Sequence, residues 1–384
     1  AEINIPESVT NIGSGAFIYC SDLASITVEK GNPQYNDGND SNCIIETATN
    51  TLICGCSKTT IPDNVTSIGD YAFTVRSGLT SIMIPENVTS IGKYAFAGCS
   101  GLTSITFPES VTSIGIYAFQ GCSSLPVVDG LRYADTYLVG AVENDKIEYS
   151  IKEGTKFIGS GAFEYCSNMV SVTIPKSVKS IGAGAFYVCE NLTSITIPNS
   201  VTKIGGLAFG FSGLTSIKIP SNVTDIENGA FVACSSLKQI DLSEYNGTIG
   251  EAAFNGCIHV KDFILSDDNP KYYVYGTGVY SREQKLVTHF TPEGGELVVP
   301  YPVTGTVSSV STAQVLESRV RLSSIELPCS WSDYDIVIPL YCMPEKIICR
   351  YSLPEEYKPY RSEAYYSGPE MPNDVYVLEC DSLS

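Results

Sequence analysis

Residues 88–108 read VTSIGKYAFAGCSGLTSITFP. Close copies follow at 111–125 (VTSIGIYAFQGCSSL), 178–198 (VKSIGAGAFYVCENLTSITIP) and 201–220 (VTKIGGLAFGFSGLTSIKIP). The Ala-Phe pair tracks the copies along the chain, with Phe at 17, 73, 96, 119, 163, 186, 209, 231 and 254. The steps between them are 56, 23, 23, 44, 23, 23, 22 and 23 residues, a dominant period with two insertions. Fixed-period self-similarity of this kind marks a repeat array.

Each part of the unit has a physical reading. In Gly-x-x-Ala-Phe-x-x-Cys, Ala95 and Cys99 are spaced four apart, which predicts one face of a short helical turn with Phe96 as its bulky plug. Leu102, Ile105 and Phe107 follow, the last two alternating with Ser104 and Thr106, the pattern of a strand with one buried face. Pro108 ends that strand because it has no N–H for a ladder. A single such coil cannot bury its apolar face, whereas stacked coils share a continuous core.

The unit resembles the BspA-like leucine-rich repeats of bacterial surface proteins and some protozoan surface families, over roughly residues 1–265. The predicted fold is therefore a leucine-rich-repeat solenoid, a right-handed coil of short parallel strands with short helical turns, hairpin insertions and a degenerate C-terminal cap. The resemblance implies an exported bacterial protein, at the cell surface or secreted, that takes part in adhesion and binds extracellular host or bacterial surface proteins or glycans.

Domain organisation follows from where the period breaks. Residues 1–299 form the solenoid, with insertions near 31–60, 125–155 and 266–299. Asn-Pro-x-Tyr begins 12 residues after Cys20 and again 12 residues after Cys257, each time before a hairpin-like stretch (43–56 and 278–290), and 131–142 resembles these. Beyond about residue 300 the pattern decays, and 300–384 reads as degenerate coils plus a cap, with a separate small domain as the alternative. Of 24 tyrosines, 13 lie from Tyr272 onward. They form either a binding surface or an irregular core in which Tyr replaces Phe and Ile.

Composition narrows the function. Only 17% of the 384 residues are charged, and the net charge of −19 repels phosphate backbones and anionic membranes, which argues against nucleic acid as a partner. No stretch approaches the 18 or more apolar residues of a membrane span. The two histidines, His259 and His289, come with no recurrent Ser or Asp, so no catalytic residue is assigned and no enzyme is expected. Seven cysteines (20, 99, 122, 166, 189, 234, 257) share a repeat slot that Ser318 fills in a later unit, which reads as a packing slot for free thiols; Cys54 and Cys56 stand outside it. Neither Cys-x-Cys nor the polar run Asn36–Asp40 makes a metal site, and no cofactor is expected.

Candidate binding residues lie where the copies differ. One outward strand column reads Thr27, Met83, Thr106, Thr173, Thr196, Lys218, Asp241, and its neighbour reads Ser25, Ser81, Ser104, Ser171, Ser194, Ser216, Gln239. Uniform Ser and Thr suit a solvated strand face, whereas specific sites carry varied, charged or aromatic anchors. Met83, Lys218, Gln239 and Asp241 are therefore selected, together with the insertion tyrosines Tyr35, Tyr272, Tyr273 and Tyr275. The expected function is non-enzymatic surface binding through the ladder face, the hairpins or the Tyr-rich C-terminal region. The alternative is a structural spacer on the cell surface without a specific ligand.

Overall fold

The computed structural model describes residues 1–275 and 278–282, and beyond them the backbone of strands at 286–289, 296–298, 324–327, 346–349 and 379–380. The chain divides into two compact units, Ala1–Tyr187 and Val188–Ser384. Among the described residues both contain coils of one type, so the leucine-rich-repeat solenoid of parallel strands is the observed fold.

Each regular coil contributes two strands and one turn. In the first unit the longer strands pair in parallel, Ser81–Met83 with Ser104–Thr106 and Glu148–Ser150 with Ser171–Thr173. In the second, Ser216–Lys218, Gln239–Leu242 and Asp262–Leu265 form one parallel ladder. A second ladder comes from the Ser-Ile dipeptide ahead of the repeat Gly: Ser67, Ser90 and Ser113 lie in register in the first unit, and Lys203, Asp225 and Thr248 in the second. Alternation puts Ile82, Ile105, Ile217 and Ile240 inside, while Ser81, Met83, Ser104, Thr106, Ser216 and Lys218 are exposed.

The repeat Phe forms the spine. Phe73, Phe96 and Phe119 stack at 5.0 and 5.2 Å with planes within 5° of parallel, and Phe209, Phe231 and Phe254 stack at 5.1 and 5.2 Å. All are buried, each in a pocket completed only by its neighbours. One coil cannot hold its own Phe, and this is why the sequence repeats.

The expected helical turn is absent: no helix occurs among the described residues. Two backbone positions per coil, two residues before and two after the Phe, take left-handed φ instead. In successive coils the pairs are Gly15 and Tyr19, Tyr71 and Val75, Tyr94 and Gly98, Tyr117 and Gly121, Gly161 and Tyr165, Gly184 and Val188, Leu207 and Phe211, Gly229 and Ala233, and Ala252 and Gly256. Alternate N–H groups then serve different partners. Ala95, Ala97 and Cys99 donate three residues back within their own coil, while Tyr94, Phe96 and Gly98 donate to Ile116, Ala118 and Gln120 of the next coil. A helix would turn all of these bonds inward and leave the coils unlinked along this edge. Linkage between coils outweighs the cost of about 1–2 kcal/mol per left-handed non-Gly residue.

The repeat Gly is set by close approach. A Cβ on Gly92 would lie 2.5 Å from the Asp70 nitrogen, and one on Gly115 would lie 2.5 Å from the Lys93 nitrogen. Gly182 and Gly250 face the backbone of the preceding coil at 2.7 and 2.6 Å.

Two insertions extend the short-strand ladder. Tyr35–Asn36, Cys43–Glu46 and Thr51–Gly55 pair antiparallel, and Leu52 continues in parallel onto Ile68. Leu131–Ala134 and Tyr137–Ala141 form the second hairpin, with Leu138 paired to Ile158. The third hairpin pairs Tyr272–Tyr275 with Gly278–Ser281 and Leu286–His289. Further on, Glu296–Val298, Ser324–Leu327, Lys346–Cys349 and Glu379–Cys380 pair in parallel. The rest of 300–384, expected to hold degenerate coils and a cap, lies outside the described residues.

Candidate binding face

The long-strand ladder brings three of the selected residues together. In the second unit Ser216, Gln239 and Asp262 share one register column and Lys218, Asp241 and Ile264 the next. Lys218 Nζ lies 3.1 Å from Glu244 Oε1 and 3.8 Å from Asp241 Oδ2. The other Asp241 oxygen accepts hydrogen bonds from the Ser243 N–H at 2.9 Å and its hydroxyl at 2.6 Å. Burial opposes ionisation of Asp241, yet the Ser243 bonds and the Lys218 charge outweigh it and hold the carboxyl below its ordinary value. The hydrogen bond that Lys218 donates to Glu244, with the charges of Glu244 and Asp241, raises the Lys218 amine.

The result is a fixed charge constellation on an otherwise hydroxyl-lined face. Exposed pairs of this kind add about 0–1 kcal/mol to stability. What they set is orientation, because the ion pairs and the Ser243 bonds hold the carboxylates and the ammonium in one arrangement on the exposed face. Gln239 and Asp262 are exposed beside them and Ile264 adds an exposed apolar contact. Glu244, Asp262 and Ile264 escaped the sequence reading. Asp262 and Ile264 continue the two columns one coil further, which was the available signal.

The other candidates fall elsewhere. Met83 belongs to the first unit and projects from its strand at 77% exposure between Ser and Thr neighbours. Tyr35 and Tyr272 are buried, and each hydroxyl accepts the N–H of the Ile just before a repeat Gly, Ile12 at 2.9 Å and Ile249 at 2.8 Å. The Asn of each Asn-Pro-x-Tyr organises this: Asn32 Oδ1 accepts the Gln34 and Tyr35 N–H groups, and Asn269 Oδ1 those of Lys271 and Tyr272. The motif fastens an insertion to the coil before it, so these two rings are not contacts offered to a partner. Tyr273 is half-buried, stacked on Tyr280 at 5.6 Å with the Arg282 guanidinium 5.6 Å from its ring. The Tyr275 side chain lies outside the described residues.

The shared cysteine slot is likewise part of the frame. The thiols of Cys99, Cys122, Cys234 and Cys257 each donate to the carbonyl of the Phe one coil earlier, at 3.0–3.2 Å. Burial pushes Cys99 up to about 11 and Cys122 to about 12. Cys54 and Cys56 are buried too, and in the slot of the Phe73 coil stands Arg76, 1% exposed, whose guanidinium donates to the carbonyls of Gly55, Thr74 and Phe17. Among the described residues no group of three or more His, Cys, Asp or Glu side chains is placed to hold a metal ion, and no helix is long and apolar enough to cross a membrane.

Stacked parallel coils with a Phe spine define a leucine-rich-repeat protein. The family model described as "BspA type Leucine rich repeat region" matches in six copies over residues 1–51, 51–148 and 156–276, and the chain belongs to that family. Among solved structures it is similar to a leucine-rich repeat protein from Eubacterium ventriosum ATCC 27560, at 28% identity over 56% of this chain and 59% of that one, TM-score 0.39. It thus spans little more than half of that protein's length. A leucine rich cell surface protein from Faecalibacterium prausnitzii A2-165 is 27% identical over 70% of this chain and 79% of that one, TM-score 0.37. A leucine-rich repeat protein from Bacteroides ovatus ATCC 8483 is 21% identical over 88% and 92%, TM-score 0.30. Comparison with curated proteins finds no match.

Proposed function

We propose that this chain is a non-enzymatic repeat protein of the bacterial cell surface that binds an extracellular protein or glycan through the ladder face centred on Lys218, Gln239 and Asp241. The observation that carries this reading is the register: three departures from the Ser/Thr columns fall on adjacent strands, with Lys218 held between Asp241 and Glu244. Repeat proteins present such columns as one extended surface, and a cluster of varied side chains on a uniform background is how such a surface acquires a partner. Export to the surface accords with the family's resemblance to bacterial surface proteins.

The uniform Ser and Thr around Ser81, Ser104 and Thr106 favour a second reading, in which that stretch serves as a spacer. The test is a binding screen of the full chain against host extracellular-matrix proteins, bacterial surface proteins and a glycan array, repeated with the triple variant Lys218→Thr, Gln239→Ser, Asp241→Thr. These are the residues the repeat itself uses, so the fold is retained. A partner lost on substitution supports the ladder-face reading; a partner retained at full affinity refutes it, and no partner in any panel favours the spacer.

A further inference from the structure

A second surface lies on the 125–155 insertion, in the first compact unit. In the column just ahead of the long-strand position the repeat most often places exposed Thr, at Thr80, Thr103, Thr193 and Thr215, with Ala24, Lys238 and Lys261 in other coils. The insertion-bearing coil and its neighbour carry Ile147 and Val170 instead, 61% and 46% exposed. The register is unchanged, since the Val170 N–H donates to the Ile147 carbonyl at 2.8 Å as the Thr103 N–H does to Thr80. Two hydroxyl positions have become bare aliphatic ones.

Further exposed aliphatics sit on backbone joined to them. The Val142 N–H donates to the Gly130 carbonyl at 2.9 Å, and Lys146 Nζ to the Asp129 carbonyl at 3.1 Å, which holds segment 142–147 against the turn at 129–130. That turn follows the two-residue strand Val127–Val128, whose side chains are 47% and 43% exposed. This strand ends its sheet, and its outer edge has no partner strand among the described residues. Segment 143–148 lines a shallow, open groove of about 700 Å³, bounded by Glu143, Asp145, Lys146, Ile147 and Glu148.

The charges select the occupant. Among the described residues none of Glu143, Asp145 and Glu148 forms an ion pair. The insertion's three cations are engaged elsewhere, Lys146 on the Asp129 carbonyl, Arg132 on those of Ser123 and Leu125, and Lys152 over the Tyr133 ring at 4.5 Å. An apolar floor, an open strand edge and unneutralised carboxylates together fit one ligand chemistry. We infer that this surface binds an extended basic peptide segment of a partner protein, in which apolar residues alternate with Lys or Arg. The apolar residues cover Val127, Val128, Val142, Ile147 and Val170 while the cations meet the groove carboxylates. A second copy of this chain is disfavoured by its net charge of −19. This surface shares no residue with the Lys218 face, so either stands if the other fails.

The test uses the full chain and three labelled eight-residue probes, (Lys-Val)4, (Lys-Ser)4 and (Glu-Val)4, followed by fluorescence anisotropy. The expected result is saturable binding of (Lys-Val)4, weaker binding of (Lys-Ser)4 and none of (Glu-Val)4. The double variant Ile147→Thr, Val170→Thr, which restores the repeat's own residue, weakens (Lys-Val)4 by about tenfold or more at an unchanged urea midpoint. Glu143→Gln with Glu148→Gln weakens it and flattens its salt dependence. Equal binding of (Lys-Ser)4, no binding of (Lys-Val)4, or unchanged affinity in the double variant overturns the proposal. Sedimentation showing a dimer that the Thr double variant dissociates overturns it in favour of a second copy as occupant.

Discussion

Gly92→Ala isolates the closeness of the coils. The new Cβ would stand 2.5 Å from the Asp70 nitrogen and 2.6 Å from the Gly69 carbonyl carbon, both backbone atoms of the preceding coil. Ordinary contact begins near 3.4 Å, so the coils must separate by about 1 Å. The hydrogen bonds from the Gly92 N–H to the Ile68 carbonyl (2.8 Å) and from the Lys93 N–H to Asp70 Oδ1 (2.7 Å) cross that gap and would open beyond bonding distance. Two bonds at about 1 kcal/mol each, with overpacking at about 1–3 kcal/mol, give a loss of about 3–5 kcal/mol. Gly13 holds the same position in the first coil, where nothing lies within 4 Å of an added Cβ and φ is not left-handed. Gly13→Ala is therefore neutral or stabilising by up to about 1 kcal/mol, through the unfolded chain. In urea unfolding of the full chain followed by circular dichroism, the Gly92 variant's midpoint falls by about 1 M or more while the Gly13 variant's does not. Equal midpoints for the two variants would refute the close-approach argument.

Three further outcomes follow from the frame. Gly121→Ala places its Cβ at an ordinary 3.5 Å from Gly98 while φ stays at +76°, so it costs about 1–2 kcal/mol from backbone conformation alone; Gly121→Asn costs less, as paired urea titrations will show. Tyr272→Phe removes the acceptor of the Ile249 N–H and destabilises by about 1–3 kcal/mol, and Tyr35→Phe does the same to Ile12, each measured as faster amide exchange at that Ile and a lower midpoint. Burial raises the thiols of Cys43 and Cys122 to about 12 and those of Cys54 and Cys99 to about 11, from 9.0. Above pH 9 the unfolded chain loses these protons and the folded one keeps them. Their contribution is full below pH 9 and falls by about 1.4 kcal/mol per thiol per pH unit up to 11–12, which a midpoint-against-pH series checks.

The coil was legible because each coil must obey the same packing rule, so Phe, Leu and Ile recur at fixed intervals. The inward columns and the long-strand ladder could be read for that reason, and the hairpins from where the period breaks, whereas the short Ser-Ile ladder ahead of the repeat Gly emerges only in the structure. The turn misled because Ala95 and Cys99 satisfy a helical spacing, and spacing within one coil says nothing about bonds to the next. The signal was Gly two residues before or after the Phe, at Gly15, Gly98, Gly121, Gly161, Gly184, Gly229 and Gly256. Tyr35 and Tyr272 looked like loop contacts because burial of a Tyr depends on what its hydroxyl meets. Both lie 23 residues after the Ile they bond, one repeat length, which was visible in the sequence. Lys218, Gln239 and Asp241 were found as departures from uniform columns, whereas Ile147 and Val170 sit in a third column ahead of the two that were compared.

On the proposed reading, the recurrent positions build the frame and the departures carry recognition. The most direct test is one consensus variant of the full chain: Met83→Thr, Ile147→Thr, Val170→Thr, Lys218→Thr, Gln239→Ser and Asp241→Thr. Its urea midpoint and its binding are measured beside those of the unaltered protein, against the partner the screen identifies and the (Lys-Val)4 probe. The predicted result is a stability within about 0.5 kcal/mol of the original and loss of both binding activities. A variant that keeps its fold and still binds both ligands with undiminished affinity would contradict the account.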